Sequence, residues 1–149
     1  MVRLKHRFLI GQILPVYQKG ESAQHRVYNL HKIIDLIRQK ISELYGEMGI
    51  GDFGQQLVIK YYEQEYSRLL VIKIPRGHQK HVQFALSCIS SIEETPVTIR
   101  TLHTSSCPRT CIQKLTPMIK TFIEHNPKVK NLNVEEALLQ TLNQTLVDN

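Results

Sequence analysis

Residues 55–75 read QQLVIKYYEQEYSRLLVIKIP. Two apolar runs rich in Val, Ile, Leu and Tyr, Leu57 to Tyr62 and Leu69 to Ile74, flank a polar connection. Runs of this length and composition read as β-strands, and so short a connection makes them a hairpin. On its N-terminal side Leu30, Ile33, Ile34, Ile37, Ile41 and Leu44 recur at helical spacing, with Lys32, Asp35, Arg38 and Lys40 on other faces. On its C-terminal side Val82, Ala85, Leu86, Ile89 and Ile92 form a second apolar stripe. Beyond the helices lie an opening strand, Val2 to Leu14 ended by Pro15, and a closing one, VTIRTLHT at 97–104 after Pro96.

Strand, helix, hairpin, helix, strand is the order of a split βαβ unit. The expected class is therefore α+β: a ferredoxin-like, RNA-recognition-motif-like sandwich whose four-stranded antiparallel sheet carries two helices on one face and leaves the other open. Extra C-terminal helices follow. CIQKLTPMIKTFIEHN (111–126) has Ile112, Leu115, Ile119 and Phe122 as its stripe, with a kink expected at Pro117. A basic linker then leads to a last helix, 134–147, whose Leu138, Leu139, Leu142 and Leu146 are expected to dock on the chain itself, with a partner as the alternative. The division is a domain at 1–126 and a linker plus helix at 127–149.

Charge narrows the function. In the opening MVRLKHRFLI, Arg3, Lys5 and Arg7 share one strand face, with His6 between them, while Val2, Leu4, Phe8 and Ile10 share the other. This stripe suits either a polyanion or an edge strand guarded against aggregation. The chain as a whole has 19 Lys and Arg against 13 Asp and Glu, a net charge of +6 and a pI near 9.3, which favours an acidic partner. No stretch reaches the roughly 18 apolar residues of a spanning helix, and the charged opening is not a signal peptide, so an intracellular protein without a membrane partner is expected. Cys88, Cys107 and Cys111 are odd in number and unpaired in spacing, pointing to a reducing compartment; Cys88 reads as a small core residue. On the open sheet face the polar members of the strands would join the stripe: Lys60, Lys73 and Arg100.

Other patterns lead away from catalysis. Gly49 to Gly54 spells G-x-G-x-x-G, but it follows a helix and opens a strand, the reverse of a dinucleotide fingerprint. It reads as a helix end and turn whose glycines supply positive φ. In HTSSCPRTC (103–111) Pro108 stands where a helix begins, so Ser105, Ser106, Arg109 and Thr110 read either as a plain helix entry or as a phosphate cradle on unpaired N–H groups. Cys107, Cys111 and His103 lack a fourth metal ligand at a sensible spacing, and His78 and His81 read as a solvated or anion-facing pair. No acylphosphatase-type loop follows the first strand, and no Ser/His/Asp arrangement is present. The third strand lacks the stacking aromatics of a conventional RNA-recognition motif, so contact with a folded RNA is expected through phosphates and shape.

MVRLKHRFLI, the strand pair ending in VIKIPRG, and TLHTSSCPRTC before a helix resemble the small protein subunit of ribonuclease P and ribonuclease MRP, the Pop-five family, over residues 1 to about 122. The resemblance implies a noncatalytic protein bound to the catalytic RNA and paired with a TIM-barrel-like subunit. It implies that precursor tRNA is cleaved by the RNA with Mg²⁺, the chain itself holding no cofactor, and it implies work in tRNA and rRNA processing in the nucleus and nucleolus, with no DNA partner. By position Arg3, Lys5 and Arg7 match the family's basic strand, Arg76 the residue closing the third strand, and His103 to Thr110 the loop into the third helix. There the family favours small residues, often with a second glycine, where this chain has Ser105-Ser106-Cys107-Pro108, which restricts close approach of backbone to phosphate. The rival expectation is a ferredoxin-like regulatory or protein-interaction module whose charge keeps it soluble.

Overall fold

The run FLIGQIL at residues 8–14 is apolar apart from Gln12, and it forms a strand buried on both sides. The computed structural model describes residues 5–17, 27–64, 67–126 and 133–147, the last segment by backbone alone at 133–135 and 147. Strand β1 (His6–Pro15) is central, antiparallel to β3 (Leu69–Pro75) on one side and β5 (Thr95–Ser105) on the other. β2 (Val58–Tyr62) forms the expected hairpin with β3. These four strands have the ferredoxin-like order, and a two-residue strand, β4 (Ser91–Ile92), extends the sheet to β2-β3-β1-β5-β4. The fifth strand exists because Glu93 and Glu94, at φ 48° and 66°, fold the chain back so that Ile92 pairs with Thr95. With β1 central, Arg7 guards no sheet edge.

Helices α1 (Leu30–Gly49) and α2 (Gln79–Ser87) cover one face. α1 begins at Asn29, whose side chain accepts the His31 N–H at 2.9 Å. Ile33, Ile37 and Ile41 of α1 and Val82, Ala85 and Leu86 of α2 pack on Leu9, Ile13, Leu70, Ile72, Ile74 and Ile99. Lys32 and Glu93 form an ion pair between α1 and the β4–β5 turn. Cys88 caps α2 and is half-exposed, not a core residue. Gly46 alone among the described glycines takes positive φ, +68°, and the chain then continues through a π-helical turn, Ile50–Gly54. Gly49 is small for a different reason: a Cβ there would collide with Tyr45.

The second face is not open. Helices α3 (Pro108–His125) and α4 (Asn133–Val147) cover it. Cys111, Leu115, Ile119 and Ile123 of α3, with Leu142 and Leu146 of α4, bury Phe8, Ile10, Tyr61, Leu69 and Val71. The reason lies in β1 itself: Leu9 and Ile13 serve the first layer while Phe8 and Ile10 need a second. α3 runs on through Pro117. Among the described residues no helix is long and apolar enough to cross a membrane.

Candidate nucleic-acid interface

With both faces covered, most polar residues inside the strands are half-buried, although Thr98 and Arg100 of β5 are exposed. Alternation puts Arg7, opposite Ile74, on the α1/α2 side with Leu9, which corrects its expected place on a free face. It stays half-buried because it stands at the strand's beginning. Lys5, just before β1, is exposed, and its carbonyl accepts the Arg76 N–H at 2.9 Å. That bond seats Arg76 beside Lys5. Arg3 lies outside the described residues.

The same end collects the exits of two more strands. β5 runs beside β1 so that Ser105 faces Phe8, Thr104 faces Leu9 and His103 faces Ile10, and α3 starts three residues beyond. β3 ends at Pro75 and turns through Arg76–His78 into α2. Lys5, Arg7, Arg76, Lys80 and Arg109 therefore gather at one end of the sandwich with the starts of α2 and α3. α1 returns its C-terminus to this end too, bringing Glu47 and Asp52. The cations prevail, and helix starts add partial positive charge.

His78 and His81, expected as a solvated or anion-facing pair, both pack against aromatic rings. His78 stacks on Phe53 at a centroid distance of 4.7 Å, and Tyr45 meets His81 edge-on at 5.2 Å. The imidazoles thus clamp the π-helical turn to the start of α2. Nearby, the Gln83 amide donates to the Thr104 hydroxyl at 3.2 Å, tying α2 to the end of β5.

The loop into α3 is only partly the cradle expected. Ser105 is 3% exposed, and its hydroxyl has no partner among the described residues, so a phosphate in solvent cannot reach it. The Thr110 hydroxyl donates to the Cys107 carbonyl at 3.0 Å. Cys107 stands at the helix cap, where hydrogen bonding with the Thr110 hydroxyl holds its thiol below the usual range. Ser106 and Arg109 remain exposed.

The other expected contacts are scattered. Lys73 shares the second face with Phe8 and Val58 but is half-buried there. Lys60 occupies a bulge, the residue of β2 left over where Ile59 faces Ile72 and Tyr61 faces Val71. His6, opposite Pro75, and His103 are half-buried. Arg100 faces Gln12, six residues along β1 from His6, or about 20 Å. It lines a groove with Pro117, Met118, Phe122 and His125 at the opposite end. Lys80 was missed by sequence reasoning, because only the exit of β3 beside Lys5 shows that the start of α2 belongs to the basic end.

Comparison with known proteins gives this geometry a family. Residues 7–116 match the Rpp14/Pop5 family. The chain is 26% identical over 110 residues to the ribonuclease P/MRP protein subunit POP5 of Schizosaccharomyces pombe, covering 70% of this chain and 78% of that protein. It is 25% identical over 116 residues to the probable ribonuclease P/MRP protein subunit POP5 of Arabidopsis thaliana, covering 74% of each. Its fold matches a chain in the cryo-EM structure of yeast ribonuclease MRP with a TM-score of 0.53 at 14% identity, over 81% of this chain and 95% of that one. The matched segment takes in the five strands from Arg7 onward and the start of α3, and on that extent the chain belongs to the Rpp14/Pop5 family.

Proposed function

We propose that this chain is a noncatalytic protein subunit of ribonuclease P and ribonuclease MRP that binds the catalytic RNA and stabilises its folded core. In this reading the RNA, with Mg²⁺, removes 5′ leaders from precursor tRNA and acts in rRNA processing, in the nucleus and nucleolus. The protein partner is a TIM-barrel-like subunit. One observation carries the RNA contact: Lys5, Arg7, Arg76, Lys80 and Arg109 converge with two helix starts at one end of the sandwich. Such a surface grips phosphates without reading bases.

Salt dependence tests it. Each phosphate neutralised contributes about −0.9 to the slope of log affinity against log salt on duplex nucleic acid and about −0.7 on single strands. Replacing Lys5, Arg7, Arg76 and Arg109 together with Ala is expected to flatten the slope by roughly 2 to 4 and weaken RNA binding at every sequence. An unchanged slope would favour a protein-interaction module and end the RNA reading.

A further inference from the structure

α4 lies beyond the residues that match the family, yet it completes a cleft at the basic end. Where the start of α3 meets the end of α4 there is an opening of about 610 Å³, within the range of small-ligand sites. Pro108, Ile112 and Leu146 line it with apolar surface, and Leu146 is only 2% exposed. Arg109, Gln113 and Asn143 line it too, all three exposed, and Cys107 completes the wall.

This combination has a specific chemical meaning. The two carboxamides, Gln113 and Asn143, each offer a donor and an acceptor, the same alternation that a nucleobase presents along its edge. Apolar walls accept the faces of a flat heterocycle, and a guanidinium at the rim can take a phosphate in two-point contact. An apolar side chain from a protein would use the walls but leave both amides and the cation without a counterpart. The cleft also opens where the Proposed function already brings RNA, and folded RNAs display unstacked bases in loops and bulges.

We propose that the α3–α4 cleft receives one unstacked nucleobase of the bound RNA, with Gln113 and Asn143 on its hydrogen-bonding edge and Arg109 on the adjoining phosphate. The inference rests on the RNA-binding reading and adds base contact to a surface that otherwise reads only charge. Cys107 supplies a built-in reporter, because it lines the cleft.

The test uses the full chain with a mixed-sequence single-stranded RNA and the same strand made abasic. The intact strand is expected to bind about tenfold tighter and to slow alkylation of Cys107 by iodoacetamide, while the abasic strand does neither. Asn143→Ala and Gln113→Ala, both at exposed positions, should each erase most of that difference and leave the salt slope unchanged. Equal affinity for the two strands, with a salt slope still dependent on Arg76, would overturn the cleft proposal and spare the RNA reading. Binding of neither strand would overturn both. Protection of Cys107 by a protein partner but not by intact RNA would also refute it.

Discussion

Cys107 and Cys111 stand one helical turn apart, yet the fold drives their thiols in opposite directions. Hydrogen bonding at the helix cap lowers Cys107, whereas burial pushes Cys111 up to about 12. At neutral pH Cys107 is expected to react first with iodoacetamide and Cys111 only on unfolding, which peptide mapping of the alkylated chain checks. The Cys111 shift also carries a stability sign. A folded value raised above the ordinary 9.0 means that the neutral thiol is favoured in the fold, so its contribution is whole below pH 9 and is lost as pH rises towards 12. Tyr62, raised by burial from 10.0 to about 12, acts in the same sense. Urea midpoints should therefore fall between about pH 9 and 11, and fall less in Cys111→Val; equal losses in both would refute the assignment. Tyr61 presents the converse case. Its ring is 4% exposed, and its hydroxyl finds no partner among the described residues, so desolvation of that group is uncompensated. Tyr61→Phe is expected to leave stability unchanged or raise it by about 1 kcal/mol, and a loss of that size in urea titration would show a missing partner.

Between residue and fold, the elements differ in how openly the sequence declares them. The hairpin at β2–β3 and the stripes of α1 and α2 were legible because period and turn chemistry agree there. The second layer was not. The stripe Leu115, Ile119 and the pair Leu142, Leu146 announce helices with an apolar side, but spacing cannot name the surface that receives it. Phe8 and Ile10 held the missing clue, since a strand with apolar residues on both faces requires cover on both. The glycines of the α1 exit were misassigned for a similar reason: several glycines together suggest positive φ, whereas only Gly46 uses it and Gly49 is constrained by the Tyr45 side chain. Gly49→Ala is accordingly expected to cost about 1–3 kcal/mol through overpacking, and the same substitution at Gly51, with open space around its Cβ position, much less. Thermal midpoints of the two variants decide it.

At the scale of the whole molecule, closing both faces moves the charge from a surface to an end. Arg7 and Arg100 were expected on one face as parts of one stripe. In the fold they lie on opposite sides of the sheet, and Arg100 stands about 20 Å along β1 from His6. That separation exceeds twice the Debye length of about 8 Å at physiological ionic strength, so exposed charges at the two ends do not reinforce one another. A short RNA held at the basic end is then indifferent to Arg100. Arg76→Ala should lower the magnitude of the salt slope by nearly one unit on duplex RNA, and Arg100→Ala should leave it unchanged within error. A hairpin stem of about five base pairs makes the comparison decisive, because at roughly 3 Å per pair it is shorter than the distance between the two ends. If Arg100→Ala instead reduces that slope as much as Arg76→Ala does, the anion path runs the length of the sandwich past the groove of Met118 and Phe122, and the end-on geometry drawn from Lys5, Arg76 and Arg109 is wrong.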